Sequence, residues 1–207
     1  MSTLFIVPWR SPSVDHTEPT NMPSPIRIVD YDPDWPLMFE AEKSKVIAAV
    51  DGRISTAVHI GSTAVPGLCA KPIVDIMAGV SGLGGAEALL PPLAGLGYDD
   101  VTKIDDSGEW FYCLGRAPDE PGETMRYFHL HLMCEDGGEW KRHIDFRDYL
   151  RLHPETAADY CTLKRGLAER FMDQRELYTE SKTLFIRDVE AKASAELKKG
   201  SQEVLGG

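Results

Sequence analysis

The sequence predicts an α+β fold, in which a mixed β-sheet with flanking helices is followed by a helical C-terminal part. Two observations carry this prediction. Before Gly138, short apolar runs alternate with turn residues and short helical patterns, as is typical of strands with helices between them. After Gly138, three successive stretches have helical periodicity, and the chain contains no evident internal repeat.

The N-terminal elements begin after a segment of biased composition. Residues 1–25 are rich in Pro, Ser and Thr, so we expect a flexible tail. Order should begin at Ile26 with a short strand. Asp34 can cap the helix that follows, and Pro36 is tolerated in its first turn. The apolar face of this helix runs to about Val50.

The rest of the first half has the pattern of a sheet. Strands are expected at residues 54–60, 72–80, 98–104, 110–114 and 126–133. Residues 86–96 look helical, but Pro91 and Pro92 interrupt them. Because proline fits poorly beyond the first turn of a helix, we expect two short helices or a kink there.

The second half reads as helices. They are expected at residues 139–153, 154–172 and 175–198. Pro154 begins the second helix, where its missing N–H costs nothing. We therefore predict a single domain over residues 26–198, with an α/β core to about residue 138, a helical part over residues 139–198 and a flexible tail over residues 199–207.

Charge limits the classes of ligand. The net charge of -11 argues against general binding of nucleic acid, because such binding needs cations that displace counterions along the backbone. A nucleotide or other phosphorylated small molecule is therefore the favoured partner. Apolar runs stay shorter than a membrane span, so no membrane partner is expected. The sequence leaves the oligomeric state open.

The cysteines indicate a reducing compartment. Cys69, Cys113, Cys134 and Cys161 are widely spaced and form no C-x-x-C motif. This usage is typical of a cytoplasmic protein whose thiols serve as small apolar residues. A zinc site built from the cysteines is not expected.

The strongest signal for a site lies in residues 59–80. A Gly-Ser turn follows one apolar strand, and Asp75 is set into the next. A carboxylate in an apolar strand is costly unless it is partnered, and exposed N–H groups of such a turn suit phosphate. Gly61 permits close approach of a ligand, while Ser62 and Thr63 add hydroxyl groups. The run predicts a nucleotide or phosphate site, with a divalent metal at Asp75.

The surroundings of Asp75 leave its role open. It could instead be structural, paired with Lys71 or an arginine. Met77 shares its face of the strand and stands where a second carboxylate would complete a two-metal pattern. His129 and His131 also share one face, so their imidazoles could ligate a metal or act as acid and base.

Other residues could contact a phosphate. Arg147 and Arg151 stand four apart on one helical face and could clamp it. Tyr178 and Lys182 form a second pair of this spacing, and His59 directly precedes the Gly-Ser turn. Surface salt bridges are the alternative for the charged residues.

Five motifs together resemble the signature of the GrpB family. Spread over residues 26–195, they are Tyr31-Asp-Pro-Asp-Trp35, residues 59–76, His129-Leu-His131, residues 146–151 and residues 178–183. The resemblance implies a fold of the nucleotidyltransferase superfamily, whose pattern is a Gly-Ser turn, an Asp-x-Asp strand and a third carboxylate on a later strand. Similar domains are fused to some bacterial dephospho-CoA kinases.

The resemblance also implies roles for matching residues. Gly61 and Ser62 would hold phosphate, and Asp75 would be the first metal carboxylate. Met77 departs from the superfamily pattern at the second carboxylate, and one of the two strand histidines would take the third place. An acidic side chain from Asp105, Asp106 or Glu109 could compensate for Met77.

The leading hypothesis is a nucleotidyltransferase-fold protein that binds a nucleotide and a divalent metal, Mg²⁺ or Mn²⁺ rather than Zn²⁺. Its candidate reaction is nucleotidyl transfer to an unidentified acceptor. The predicted catalytic and metal-binding residues are Asp75, His129 and His131. The predicted phosphate-binding residues are His59, Gly61, Ser62, Thr63, Lys71, Arg147, Arg151, Tyr178 and Lys182. The alternatives are a non-catalytic accessory module linked to coenzyme A metabolism and a hydrolase that uses the histidine pair with a transition metal.

Overall fold

The computed structural model describes residues 25–104, 108–117, 127–135 and 137–205, without the side chains of Tyr127 and residues 199–205. Nearly all of the predicted N-terminal tail, together with Asp105, Asp106 and the expected start of the last strand at Arg126, lies outside these residues. In the described part of the chain, every helix is too short or too polar to cross a bilayer.

The described chain contains five strands and seven α-helices. The strands are β1 (Ala57–Ile60), β2 (Ile73–Val80), β3 (Tyr98–Lys103), β4 (Trp110–Arg116) and β5 (Tyr127–Cys134). The helices are α1 (Trp35–Ala49), α2 (Leu83–Glu87), α3 (Leu90–Ala94), α4 (Gly138–Leu152), α5 (Pro154–Arg170), α6 (Arg175–Ser181) and α7 (Thr183–Leu205). A single 3₁₀ turn, Ser62–Ala64, follows β1.

The strands form one mixed sheet in the order β1-β2-β5-β4-β3. Strands β2 and β5 pair in parallel, and the other neighbours are antiparallel. The helices from α4 onward follow the sheet in the chain. This arrangement confirms the α+β prediction of a mixed sheet with flanking helices and a helical C-terminal part.

The two faces of the sheet have different roles. On one face, Ile76 and Leu130 join the main apolar core together with Phe39 and Val46 of α1. Because strand side chains alternate, Asp75 and its neighbours on β5 lie on the opposite face, which packs against α4. The candidate site therefore lies between the sheet and the helical half.

Several local predictions were wrong. Only a single bridge, between Val29 and Ala70, stands where the first strand was expected. Asp34 makes no capping bond through its side chain, because its backbone is helical rather than extended. The last helix is divided at Lys182, and α7 continues through Leu205, beyond its expected end.

Proline explains a prediction that is confirmed. The segment expected at residues 86–96 is divided into α2 and α3. Pro91 and Pro92 lie in the first turn of α3, where their missing N–H groups need no partner. The interruption seen in the sequence is thus the start of a new helix.

The prediction that all four cysteines are thiols was wrong for one pair. Cys69 and Cys161 form a disulfide with their Cα atoms 5.5 Å apart, and it joins the loop before β2 to α5. The two residues are 92 positions apart in the chain, so no local sequence motif predicts the bond. Cys113 and Cys134 are free.

Candidate functional site

Asp75, His129 and His131, which we call the Asp75 cluster, converge on adjacent strands. In the β2–β5 register, Asp75 lies directly beside His129, and His131 follows on the same face. Oδ1 of Asp75 lies 3.3 Å from Nδ1 of His129 and 3.3 Å from Nε2 of His131. The structure thus brings together the three residues predicted to be catalytic and metal-binding, and their partners are each other rather than Lys71 or an arginine.

Electrostatics favour the charged forms of Asp75 and His131. Burial by itself raises the pKa of Asp75, but hydrogen bonds from His129 and His131 outweigh it and hold that pKa well below its usual range. Burial also opposes protonation of His131. The Cys113 sulfur and the Asp75 carboxylate more than offset this effect and raise the pKa of His131. An imidazolium beside a carboxylate is therefore expected when no ligand is bound.

Cys113 lies next to the Asp75 cluster, although no feature of the sequence indicates this. It lies on β4 opposite His131 of β5. One donor atom each from Cys113, His129 and His131 lies within 4.8 Å of the other two. The sequence interpretation rested on the spacing of cysteines along the chain, and that spacing cannot reveal a neighbour on an adjacent strand.

Gly61 makes room for Asp75. Its φ of +72° lies in the left-handed region, and a Cβ built there would collide with Oδ2 of Asp75. The glycine in the Gly-Ser turn is therefore required by the carboxylate as well as by the backbone conformation.

Replacing Gly61 by alanine is expected to destabilise the protein and displace Asp75. With φ +72° and ψ -172°, this backbone conformation alone costs a side chain about 1–3 kcal/mol. Gly67→Ala is the matched control, since Gly67 has a φ of +78° and open space around its Cβ position. Chemical denaturation should show a larger loss of unfolding free energy for Gly61→Ala. Equal losses would mean that Asp75 does not depend on the glycine.

A buried lysine that sequence reasoning missed reaches the turn. Lys164 of α5 is 2% exposed. Its Nζ donates to Oγ of Ser62 at 2.8 Å and to the carbonyl oxygen of Cys69. Burial, with a smaller contribution from Lys182, lowers the pKa of Lys164 to about 6. In sequence, Lys164 is one of many cations on a helix, and only its packing distinguishes it.

Lys71 and Lys182 lie against one aromatic ring. Their Nζ atoms are 4.3 Å and 4.5 Å from the ring centre of Tyr178, which is buried. Burial, then the charge of Lys182, lowers the pKa of Lys71 to about 7. Burial lowers the pKa of Lys182 to about 8. The predicted residues Lys71, Tyr178 and Lys182 are therefore brought together.

We call Lys71, Lys164 and Lys182 the lysine group. Within the described ranges, no carboxylate oxygen lies within 4.0 Å of any of their Nζ atoms. The charge of Asp75 reaches Lys71 and Lys182 at longer range and favours their protonated forms. Lys71 and Lys182 therefore share an electrostatic environment with the Asp75 cluster.

His59 and Thr63 have internal partners. Nε2 of His59 lies 3.0 Å from Oγ1 of Thr63, which in turn donates to the carbonyl of Ile73 at 3.1 Å. The His59 ring stacks on Phe39, and burial lowers its pKa to about 4. Both side chains thus brace the turn from the sheet face opposite Asp75.

The predicted arginine clamp also holds the turn. Arg147 donates to the carbonyl of His59 at 2.9 Å, and Arg151 donates to the carbonyl of Ala64 at 3.0 Å and 2.8 Å. Both guanidinium groups also pair with Asp148. Their donors are engaged by the protein itself, so in this structure they position the Gly-Ser turn.

Met77, which stands where a two-metal pattern would have its second carboxylate, lies in apolar surroundings. Met77 is fully buried in a cluster with Trp110, Met133 and Trp140. Glu109 accepts hydrogen bonds from the N–H groups of Gly138 and Glu139, so it caps α4. Of the three acidic residues proposed to compensate for Met77, only Glu109 lies in the described part of the chain, and it serves as a cap of α4 instead.

Known proteins match the chain in both sequence and structure. The family profile described as GrpB protein matches residues 25–192. The glutamate-rich protein GrpB of Alkalihalophilus pseudofirmus is 30% identical over 163 residues, covering 78% of this chain and 92% of that protein. A dephospho-CoA kinase of Mycolicibacterium paratuberculosis is 28% identical, and the match covers 82% of this chain but 46% of the kinase.

The structural comparison agrees with the sequence. A crystal structure of conserved protein GrpB from Enterococcus faecalis has a TM-score of 0.71 and 30% sequence identity to this chain. The match covers 83% of this chain and 99% of that one. With the family profile spanning the sheet, the Asp75 cluster and most of the helical half, the chain belongs to the GrpB family.

Proposed function

We propose that the protein binds a nucleotide or another phosphorylated small molecule, with the phosphates at the lysine group. The observation that carries this proposal is the convergence of three half-buried or buried lysine side chains with no carboxylate within 4.0 Å of their Nζ atoms among the described residues. Burial and mutual repulsion make such an arrangement costly in the free protein. A bound polyanion would offset both costs.

The overall charge of the chain supports this interpretation. The protein as a whole is acidic, with a net charge of -11, whereas the lysine group is a locally basic site. Its lysines come from the loop before β2, from α5 and from the junction between α6 and α7. The Ser62 hydroxyl accepts a hydrogen bond from Lys164 at 2.8 Å, so the Gly-Ser turn lies beside this member of the lysine group.

The finer part of the proposal is the reaction. A divalent ion at the Asp75 cluster would neutralise charge on a phosphate bound by the lysine group. In nucleotidyl transfer, an acceptor oxygen would bond to the α-phosphorus of a nucleoside triphosphate and release pyrophosphate. The buried Met77 leaves Asp75 as the sole carboxylate in the cluster, so this chemistry would rely on one ion and the lysines.

A second candidate function is a non-catalytic module linked to coenzyme A metabolism. The observation that favours it is the match to part of a protein named dephospho-CoA kinase. The apolar surroundings of Met77 favour it as well. In this case the lysine group would bind the same class of ligand without consuming it.

Replacing Lys71 or Lys182 by glutamine is expected to weaken binding of ADP or pyrophosphate by about 10- to 100-fold. Each change removes one hydrogen bond between charged groups, which is worth about 1.5–3 kcal/mol. Calorimetry on the full chain measures the effect. Lys43→Gln is the control, because Lys43 pairs with Glu40 on α1, on the other side of the sheet. Equal binding by all variants would contradict the proposal.

Anion binding is also expected to weaken as pH rises. The pKa values of about 7 for Lys71 and about 8 for Lys182 mean that both lose their protons between neutral and mildly alkaline pH. A bound anion favours the protonated lysines, so affinity is highest below these pKa values and falls above them. Sulfate is a suitable probe because its own charge is constant in this range. A flat profile from pH 6 to 9 would exclude the two lysines as the binding groups.

A further inference from the structure

We infer that Cys113, His129 and His131 bind a transition-metal ion of the zinc class, with Asp75 orienting the imidazoles from behind. We call these three residues the Cys113 site. The inference rests on the metal part of the proposed function, to which it adds a ligand and a class of ion. It does not require the lysine group to bind phosphate.

The sheet register places the three donors together. Cys113 of β4 lies opposite His131 of β5, and His129 is two residues earlier on the same face. One donor atom from each lies within 4.8 Å of the others. Donors of a tetrahedral zinc ion, with bonds of about 2.0–2.3 Å, are roughly 3.5 Å apart. Side-chain rotations that close the gaps by about 1 Å would therefore complete the site.

A buried nitrogen supplies a second, independent observation. The side chain of His131 is 9% exposed, and its Nε2 lies 3.3 Å from Oδ1 of Asp75. Its other ring nitrogen, Nδ1, is buried and makes no hydrogen bond of normal geometry among the described residues, while the sulfur of Cys113 interacts with the same imidazole. A metal-binding histidine commonly uses one nitrogen for the ion and the other for a carboxylate. His131 already has the carboxylate in place.

The donor types select the ion. Thiolate and imidazole are preferred by Zn²⁺ and its relatives, whereas Mg²⁺ requires about six oxygen ligands. In this cluster, only Asp75 offers a carboxylate oxygen. The inference therefore replaces the Mg²⁺ or Mn²⁺ expected from sequence by an ion that accepts sulfur.

The number of donors indicates an open coordination position. Three protein ligands are typical of catalytic zinc sites, which keep the fourth position for water or substrate. His129 is 36% exposed, so this side of the Cys113 site is open to solvent. A phosphate oxygen could occupy the fourth position.

Cobalt provides a direct test. The full chain, stripped of metal and kept under argon, is titrated with Co²⁺, and the near-ultraviolet band from thiolate to cobalt charge transfer is followed. One equivalent should produce the band, and Zn²⁺ should displace it. Cys113→Ser should abolish the band. Cys134→Ser is the matched control, since Cys134 is the other free cysteine of the described chain and should leave it unchanged.

Two further variants define the other roles. His131→Ala should weaken Zn²⁺ binding by about 100-fold or more, and Asp75→Asn by about 10- to 100-fold with the band retained, the scale expected for a residue behind the ligands. Circular dichroism checks that each variant is folded. Cobalt binding without the band, or with equal affinity in Cys113→Ser, would overturn the inference. So would the absence of stoichiometric binding of either ion.

The same preparations separate this inference from the proposed function. Binding of ADP to the metal-free protein is measured in parallel, together with the Lys71→Gln variant. Loss of metal binding with ADP binding intact overturns the Cys113 site alone. Metal binding without any lysine-dependent ADP binding overturns the phosphate proposal alone.

Discussion

Under the proposed nucleotidyl transfer, replacing Asp75 by asparagine is expected to lower turnover of nucleoside triphosphates by about 100-fold or more, the scale seen when one preorganised electrostatic contact to a transition state is lost. The amide has nearly the same shape as the carboxylate but carries no charge. It would no longer stabilise both imidazoles, whose nitrogen atoms lie 3.3 Å from Oδ1. The assay measures pyrophosphate release from each of the four common triphosphates with Mg²⁺, Mn²⁺ or Zn²⁺.

A matched carboxylate controls this experiment. Asp188→Asn removes a charge from an exposed position on α7, where the side chain is 58% exposed, and should retain most of the turnover. Turnover that survives in Asp75→Asn would make Asp75 a structural residue. Pyrophosphate release that is absent from the parent protein under every condition would favour the accessory module.

Replacing Arg116 by methionine is expected to destabilise the fold by about 3 kcal/mol, the lower end of the cost of removing one partner of a buried ion pair, because Lys45 remains 3.4 Å from the Glu42 carboxylate. Nη1 of Arg116 lies 2.7 Å from Oε2 of Glu42, and both side chains are nearly inaccessible. The hydroxyl of Tyr98 donates to the other oxygen of Glu42 at 3.0 Å. This network joins α1 to β3 and β4 on the sheet face opposite the site. Chemical denaturation measures the loss.

An exposed pair on the same helix provides the comparison. Lys43→Met breaks the contact between Lys43 and Glu40, which are 3.5 Å apart with Glu40 64% exposed. Exposed pairs contribute about 0–1 kcal/mol, so a small change is expected. If both variants lost equal stability, the buried network would not be what secures α1.

The sequence predicted this site most accurately where the functional side chains follow the two-residue alternation of a β-strand. The two-residue alternation of a strand put His129 and His131 on one face, and an apolar strand made Asp75 conspicuous. The parallel pairing of β2 with β5 then set Asp75 directly beside His129. Similarly, the Pro91-Pro92 interruption was visible because proline acts on its own backbone, irrespective of distant residues.

Roles that depend on long-range packing were not predictable in this way. Arg147 and Arg151 have the spacing of a phosphate clamp, yet they donate to the carbonyls of His59 and Ala64, which are more than 80 positions away. His59 adjoins the Gly-Ser turn in sequence but faces α1 in space. The spacing of side chains along a helix shows which residues can act together, but it does not show whether they bind a ligand or a distant part of the same chain.

The α+β class, the family and the strand positions of Asp75, His129 and His131 could be predicted from the sequence alone, because local periodicity and contiguous motifs carry them. Three contacts became visible only in the folded chain: Cys113 lies opposite His131, Lys164 reaches Ser62, and Cys69 bonds to Cys161. Each of these contacts joins segments whose separation along the chain carries no signal. Strand order and helix packing bring them together, and those are properties of the whole fold.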